Sequence, residues 1–235
     1  TGVQSDTLTH ALPELERRSL PAVLFLASEV LALKEPRWWQ DALISALQQP
    51  GALVRLSQAA GWTDRVQGDV SQALTAHLAA MPELQRWIWL QTHAPDVATH
   101  VMDRQMVTLD ELQAINGSSL AMGGHGHTHG PLTRSTNPQA ELQASRAVLA
   151  VLGQRVHSMS FPHGAWTHEL VVQARMVGFE WVFTSEPTLA DASCLSDSLP
   201  ALGRIHVPEN TWTCKNGCIA PERLATFLFF RTVQQ

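Results

Sequence analysis

Gly123-Gly124-His125-Gly126-His127-Thr128-His129-Gly130-Pro131-Leu132-Thr133 sets three histidines at alternate positions, with glycines among and beside them. Neutral imidazole is the commonest metal ligand, and glycines let a backbone turn sharply enough for two or three rings to converge. Two plainer readings stand beside that one. An expression tag is the first, although tags lie at chain ends and this run is internal. A solvated loop rich in histidine is the second. Within the run, His125 and His129, four residues apart, have the spacing expected of a ligand pair.

Outward from this loop the chain alternates between apolar runs and helical periods. Ser119-Leu120-Ala121-Met122 reads as a strand leading directly into the histidines, and Ala22-Val23-Leu24-Phe25-Leu26 as a buried strand, a short continuous apolar run. His157 to Phe161, Trp181-Val182-Phe183-Thr184 and Arg204-Ile205-His206-Val207 read as further strands. Between them, Pro138 opens a helix to about Leu152. Its apolar face is Leu142, Val148, Leu149 and Leu152, a stripe interrupted by Arg146. A second helix runs from Thr167 to Val177 and ends at Gly178, and Pro221 opens a last one. Asp6 is expected to cap a helix over about 7–18, with Pro13 at a kink. Thr108-Leu109-Asp110-Glu111 is a capping box. Strands alternating with helices imply a mainly parallel sheet or barrel, whose chemistry sits where strands end and loops begin. The histidine run, Pro162-His163-Gly164 and His206-Val207-Pro208 all occupy such positions.

From Lys34 to about Arg104 the character changes to helical periods without a clear strand. This segment holds five of the eight tryptophans: Trp38, Trp39, Trp62, Trp87 and Trp89. It is read as a helical insertion at about 34–106 within a single domain spanning 1–235. Its tryptophans are either core or a stacking platform for sugar rings.

At 235 residues and 45% hydrophobic side chains, the chain can bury a full core. A net charge of −5, with Lys34 and Lys215 the only lysines, argues against sequence-independent nucleic-acid binding. No run is long enough to span a membrane; Phe227-Leu228-Phe229-Phe230 is far too short. No basic leader precedes an apolar run at the start. Cys194, Cys214 and Cys218 are an odd count and read as free thiols of a reducing, cytoplasmic setting. Half a zinc site or a disulfide at Cys214/Cys218 are the alternatives.

Taken in order, these pieces resemble the polysaccharide deacetylases, the NodB-homology group of carbohydrate esterase family 4. Leu12 to Leu26 looks like the helix and strand that follow the family's first motif. Met122 to Thr133 is similar to its metal motif, His-Ser/Thr-x-x-His with a preceding Gly and a trailing Leu-Thr. Ser160-Phe161-Pro162-His163-Gly164 resembles the third motif, and Gly178 to Thr184 the strand after it. The resemblance implies a distorted (β/α) barrel, incomplete at its first strand, and a metal-dependent hydrolase acting on amide C–N bonds. Its substrate would be a carbohydrate, an N-acetylated sugar polymer or glycan precursor.

Carried over residue by residue, the resemblance makes His125 and His129 ligands of a divalent metal, zinc above all. His127 would point elsewhere. His163 takes the place of an aromatic whose backbone N–H helps hold the oxyanion, a donor typically worth ~10²–10³ in rate. His206 stands near the family's histidine general acid, with a space-filling histidine as its other reading. Three departures matter. Gly126 replaces the family's Ser/Thr, Ser160 stands where an arginine is common, and Thr1 aligns with the metal-binding Asp of the first motif. The Asp base has no counterpart; Asp6, Asp103 and Asp110 are better explained as helix caps. Without that base, worth ~10²–10⁴, the chain is expected to be impaired. A catalytically inactive carbohydrate-binding or metal-binding pseudoenzyme is the alternative.

Overall fold

The computed structural model describes residues 5–31, 38–62, 70–95, 106–153, 156–188, 201–207, 213, 218 and 220–233. The readings placed on Thr1, Asp103, Cys194, Cys214 and Pro208 lie outside these residues. The chain divides into two compact units, one comprising Thr1, Ser19–Glu29 and Ile115–Gln235, the other Gly2–Arg18 and Val30–Ala114.

The first unit is an α/β sheet. Strands β1 (Ala22–Leu26), β2 (Leu120–Gly124), β3 (Ser158–Ser160) and β4 (Trp181–Phe183) are hydrogen-bonded in sequence order, every neighbouring pair parallel. Among the described residues the sheet is open, which matches the incomplete barrel expected. Ala22 pairs with Leu120 and Leu26 with Gly124, so the first two strands run in full register. Because all four run the same way, their carboxyl ends share one edge, where loops can gather side chains.

β2 reaches two residues further than its apolar run suggests, because Gly123 and Gly124 belong to the strand rather than to the loop. A Cβ on Gly123 would lie 2.6 Å from the Phe25 ring and 2.8 Å from Ser158 Oγ; one on Gly124 would lie 2.9 Å from the Phe179 ring. Close approach to neighbouring side chains, not turning, is what these two glycines permit.

Helices cover the sheet where Pro and capping residues predict them. A helix over Pro138–Ala150 begins with Pro138 in its first turn and Asn137 Oδ1 accepting from Ala140 N–H at 3.1 Å. Its buried face is Leu142, Ser145 and Leu149. Arg146 does not break this face. Its guanidinium lies 5.6 Å from the Phe179 ring and donates to the carbonyls of Val156 at 2.9 Å and Gly178 at 2.7 Å. The helix His168–Val177 is capped by Thr167 and ends at Gly178 in the left-handed conformation. Fully buried Phe161 and Phe179 add roughly 1.5–3 kcal/mol each through apolar area removed from water.

The strand expected over Arg204 to Val207 does not form. A single parallel bridge joins Leu202 to Phe183 instead, with Leu202 N–H donating to Val182 O and Thr184 N–H to Leu202 O, both at 2.8 Å. Two residues later the Arg204 side chain turns to the sheet, donating to Thr184 O at 2.8 Å and lying 5.6 Å from the Phe25 ring. The Arg204 N–H donates to Glu186 O at 2.8 Å, and the bridge does not continue as a ladder.

The second unit is helical. The turn Thr7–Ala11 is a π-helix that passes into the helix Leu12–Arg17. Proline lacks the N–H an α-turn needs, so Pro13 sits in the first turn of that second segment. Asp6 makes no side-chain cap there, contrary to expectation. Helices Trp39–Leu47, Ala52–Ala59, Val70–Ala79 and Glu83–His93 follow, with no strand among the described residues of 38–95. They pack Trp39, Leu43, Leu56, Leu74, Leu78 and Leu90 into one core. Trp62, Trp87 and Trp89 are half-buried against it. Trp62, His77, Trp89 and His93 meet at steep angles rather than as a flat platform. The capping box is reciprocal, Thr108 N–H donating to Glu111 Oε2 at 2.8 Å and Glu111 N–H to Thr108 Oγ1 at 3.3 Å. No described helix is long and apolar enough to cross a membrane.

Candidate metal centre

His125 is the first residue past β2. Its N–H donates to Leu26 O at 2.8 Å, extending the parallel ladder one step, so its ring is aimed by the sheet. The ring Nδ1 lies 2.7 Å from the carbonyl of Ser160, at the end of β3. A carbonyl only accepts, so Nδ1 carries the proton and Nε2 keeps its lone pair. That tautomer is the one a metal ligand needs, with the other ring nitrogen anchored to the protein.

His129 returns to the same place. The ring centroids of His125 and His129 are 4.9 Å apart, at 55°. Both side chains are buried, each residue 7% exposed. Two imidazoles on one tetrahedral ion, with metal–nitrogen bonds of ~2.0–2.1 Å, have centroids roughly 5 Å apart, so this pair fits two ligand positions. Among the described residues no group of three or more His, Cys, Asp or Glu side chains is arranged to hold an ion. Among the described residues, therefore, the two imidazoles have no carboxylate grouped with them.

The turn between them bends at Gly126, whose φ is +73°, and at His129, whose φ is +62°. His127 leaves the pair, its Nδ1 lying 2.9 Å from Ser28 Oγ. His163 joins it. It stands in the turn Pro162–Gly164 with φ +56°, and its ring centroid is 4.8 Å from that of His129. Its Nε2 faces the carbonyl of His129 at 3.1 Å and so donates to it. Sequence reasoning assigned His163 a backbone role only; this side-chain contact is new. His206 is exposed, outside the series formed by His125, His129 and His163. Cys218 is also exposed.

Burial keeps the two buried rings neutral. It pushes the pKa of His125 down to about 3 and that of His129 down to about 2. Neutral rings are ready to bind metal well below pH 6. Both pKa values lie below the 6.5 of an unfolded histidine, so the unfolded chain binds more protons in the interval between. Stability from this source is complete above pH 6.5 and is lost as pH falls toward 3. With both rings in play the slope approaches about 2.7 kcal/mol per pH unit. Urea midpoints of the metal-free protein between pH 7 and pH 4 are expected to show it, with His129→Gln flattening the slope. Equal slopes in the two proteins would contradict it.

No protein-family profile matches the sequence, and no curated protein matches it significantly. Solved structures do. The Streptococcus pyogenes deacetylase PplD, in complex with acetate, superposes with a TM-score of 0.57 at 13% identity, over 96% of this chain and 66% of PplD. IcaB from Ammonifex degensii gives 0.52 at 14% identity, over 90% of this chain and 67% of IcaB. A polysaccharide deacetylase from Bacillus cereus overlaps 54% of this chain with a TM-score of only 0.44. The chain thus spans about two thirds of the length of PplD and IcaB and shares their α/β fold, and its open parallel sheet agrees with the barrel, incomplete at its first strand, that the order of its motifs implies.

Proposed function

We propose that this chain is the body of a metal-dependent hydrolase that removes N-acetyl groups from an N-acetylated sugar polymer or glycan precursor. One observation carries the reading: two neutral, buried imidazoles meet at the carboxyl edge of a parallel sheet, one with its Nε2 lone pair left open by Ser160. The fold shared with PplD, whose structure holds acetate, supports the acyl group as the one cleaved.

His125 and His129 would hold the metal. Zinc suits imidazole nitrogen, and when bound such an ion supplies a water acidified to roughly pKa 7 and a Lewis acid for the acetyl carbonyl. The strand ladder and Ser160 keep the His125 ring in its binding tautomer, and burial keeps protons from competing. His163, second residue of a short 3-10 turn that begins with Pro162, would offer its backbone N–H to the carbonyl oxygen as charge develops there. His206, exposed, would serve the leaving amine as acid. A carboxylate to accept the proton of the attacking water is not among the described residues beside the pair.

That last point favours a second reading, a metal- or carbohydrate-binding module without turnover. The two are separated by loading the purified chain with Zn²⁺, Co²⁺ or Ni²⁺ and measuring acetate released from chitooligosaccharides. Release that chelation abolishes supports the hydrolase. Stoichiometric metal binding with no acetate released overturns it in favour of the binding module.

A further inference from the structure

Glu141 stands in the first turn of the helix Pro138–Ala150, where an acid is usually explained by the helix dipole alone. Its Oε2 does more than that. It accepts from His127 N–H at 3.2 Å, from Thr128 N–H at 3.0 Å and from the Thr128 hydroxyl at 3.2 Å. These donors belong to the middle of the five-residue turn that begins at His125 and ends at His129. The Thr128 hydroxyl in turn accepts from Gly130 N–H at 3.3 Å, carrying the brace past the second histidine.

The turn needs such a brace. His129 adopts a left-handed φ of +62°, a conformation that costs roughly 1–3 kcal/mol outside glycine and persists only where the surroundings over-determine it. His163 fixes the carbonyl of His129 from one side. Glu141 fixes the two preceding residues from the other, with hydrogen bonds strengthened by its charge.

We propose that Glu141 is a positioning residue for the imidazole pair: by pinning residues 127 and 128 it makes the rings of His125 and His129 meet, and so sets metal affinity. The proposal rests on the reading of those two histidines as ligands. It differs from a dipole role, which would stabilise the helix and leave the rings unaffected.

Calorimetric titration of the full chain with Zn²⁺ compares wild type with Glu141→Ala, Glu141→Gln and the same-turn control Gln139→Ala. Glu141→Ala is expected to bind ~10–100-fold more weakly, the usual effect of losing a partner behind a ligand. Glu141→Gln, which keeps an acceptor oxygen without the charge, falls between, and Gln139→Ala matches wild type. In the metal-free proteins, the imidazole NMR signals of His125 and His129 should move in the Glu141 variants and stay in place in Gln139→Ala. A folded Glu141→Ala with wild-type affinity overturns the proposal. Should that variant not fold, Glu141→Gln decides: unchanged affinity and unchanged ring signals overturn it. Should wild type itself bind no Zn²⁺, the ligand reading fails, and unmoved ring signals in the Glu141 variants would separately refute the brace.

Discussion

Alanine in place of His125 or His129 is expected to lower divalent-metal affinity by more than ~10²-fold, beyond the loss typical of a residue behind the ligands. With two imidazoles in the pair, either substitution leaves one, and no other group of three or more ligating side chains among the described residues takes over. His127→Ala should differ sharply. Its ring bonds Ser28 Oγ rather than facing the pair, so the expected loss is small. Zn²⁺ titration of the three variants is the check. Equal losses at 125, 127 and 129 would replace the paired geometry with a three-histidine loop. Since burial holds both rings neutral, the contrast should persist at pH 5.5, where an ordinary histidine is mostly protonated.

The second large effect is expected from a single methyl group. In Gly123→Ala the new Cβ meets the Phe25 ring and Ser158 Oγ, and in Gly124→Ala it meets the ring of Phe179, itself 1% exposed and covered by Arg146. The Phe179 ring is fully buried and the Phe25 ring packs against Phe183 and Arg204, so a shift of either disturbs a neighbour. Overpacking of this kind costs about 1–3 kcal/mol, visible as a lowered urea midpoint. Because Gly124 directly precedes His125, a shifted β2 also misaims the ligand, so Zn²⁺ affinity should fall along with stability. Wild-type stability in Gly124→Ala would mean that the contacts relax freely.

Much of this architecture is legible in the sequence because local and tertiary signals agree. Five apolar residues give β1 at its observed bounds, and Thr108 with Glu111 gives a cap whose two bonds are both made. Pro138, Thr167 and Gly178 mark helix ends for stereochemical reasons that hold in almost any context. The histidine spacing likewise singles out the two rings that meet. What stayed hidden depends on partners distant in sequence. Glycine disfavours strands, so Gly123 and Gly124 read as loop until Phe25 and Phe179 are seen crowding them. Arg146 looks like a flaw in an apolar stripe until its carbonyl partners appear 10 and 32 residues away. Arg204 to Val207 alternates like a strand, yet Arg204 bonds Thr184 O with its side chain and Glu186 O with its backbone N–H, and only Leu202 bridges to the sheet. Glu141 offered no signal at all, since an acid in a first helical turn already has a sufficient local explanation.

The positive φ angles at His129 and His163 set a limit on engineering. A search for thermostable variants that scores backbone comfort would place glycine or asparagine at both positions, and each such gain would delete an imidazole from the cluster. Hardening campaigns on this protein should therefore leave these two positions untouched and look for their improvements elsewhere in the chain.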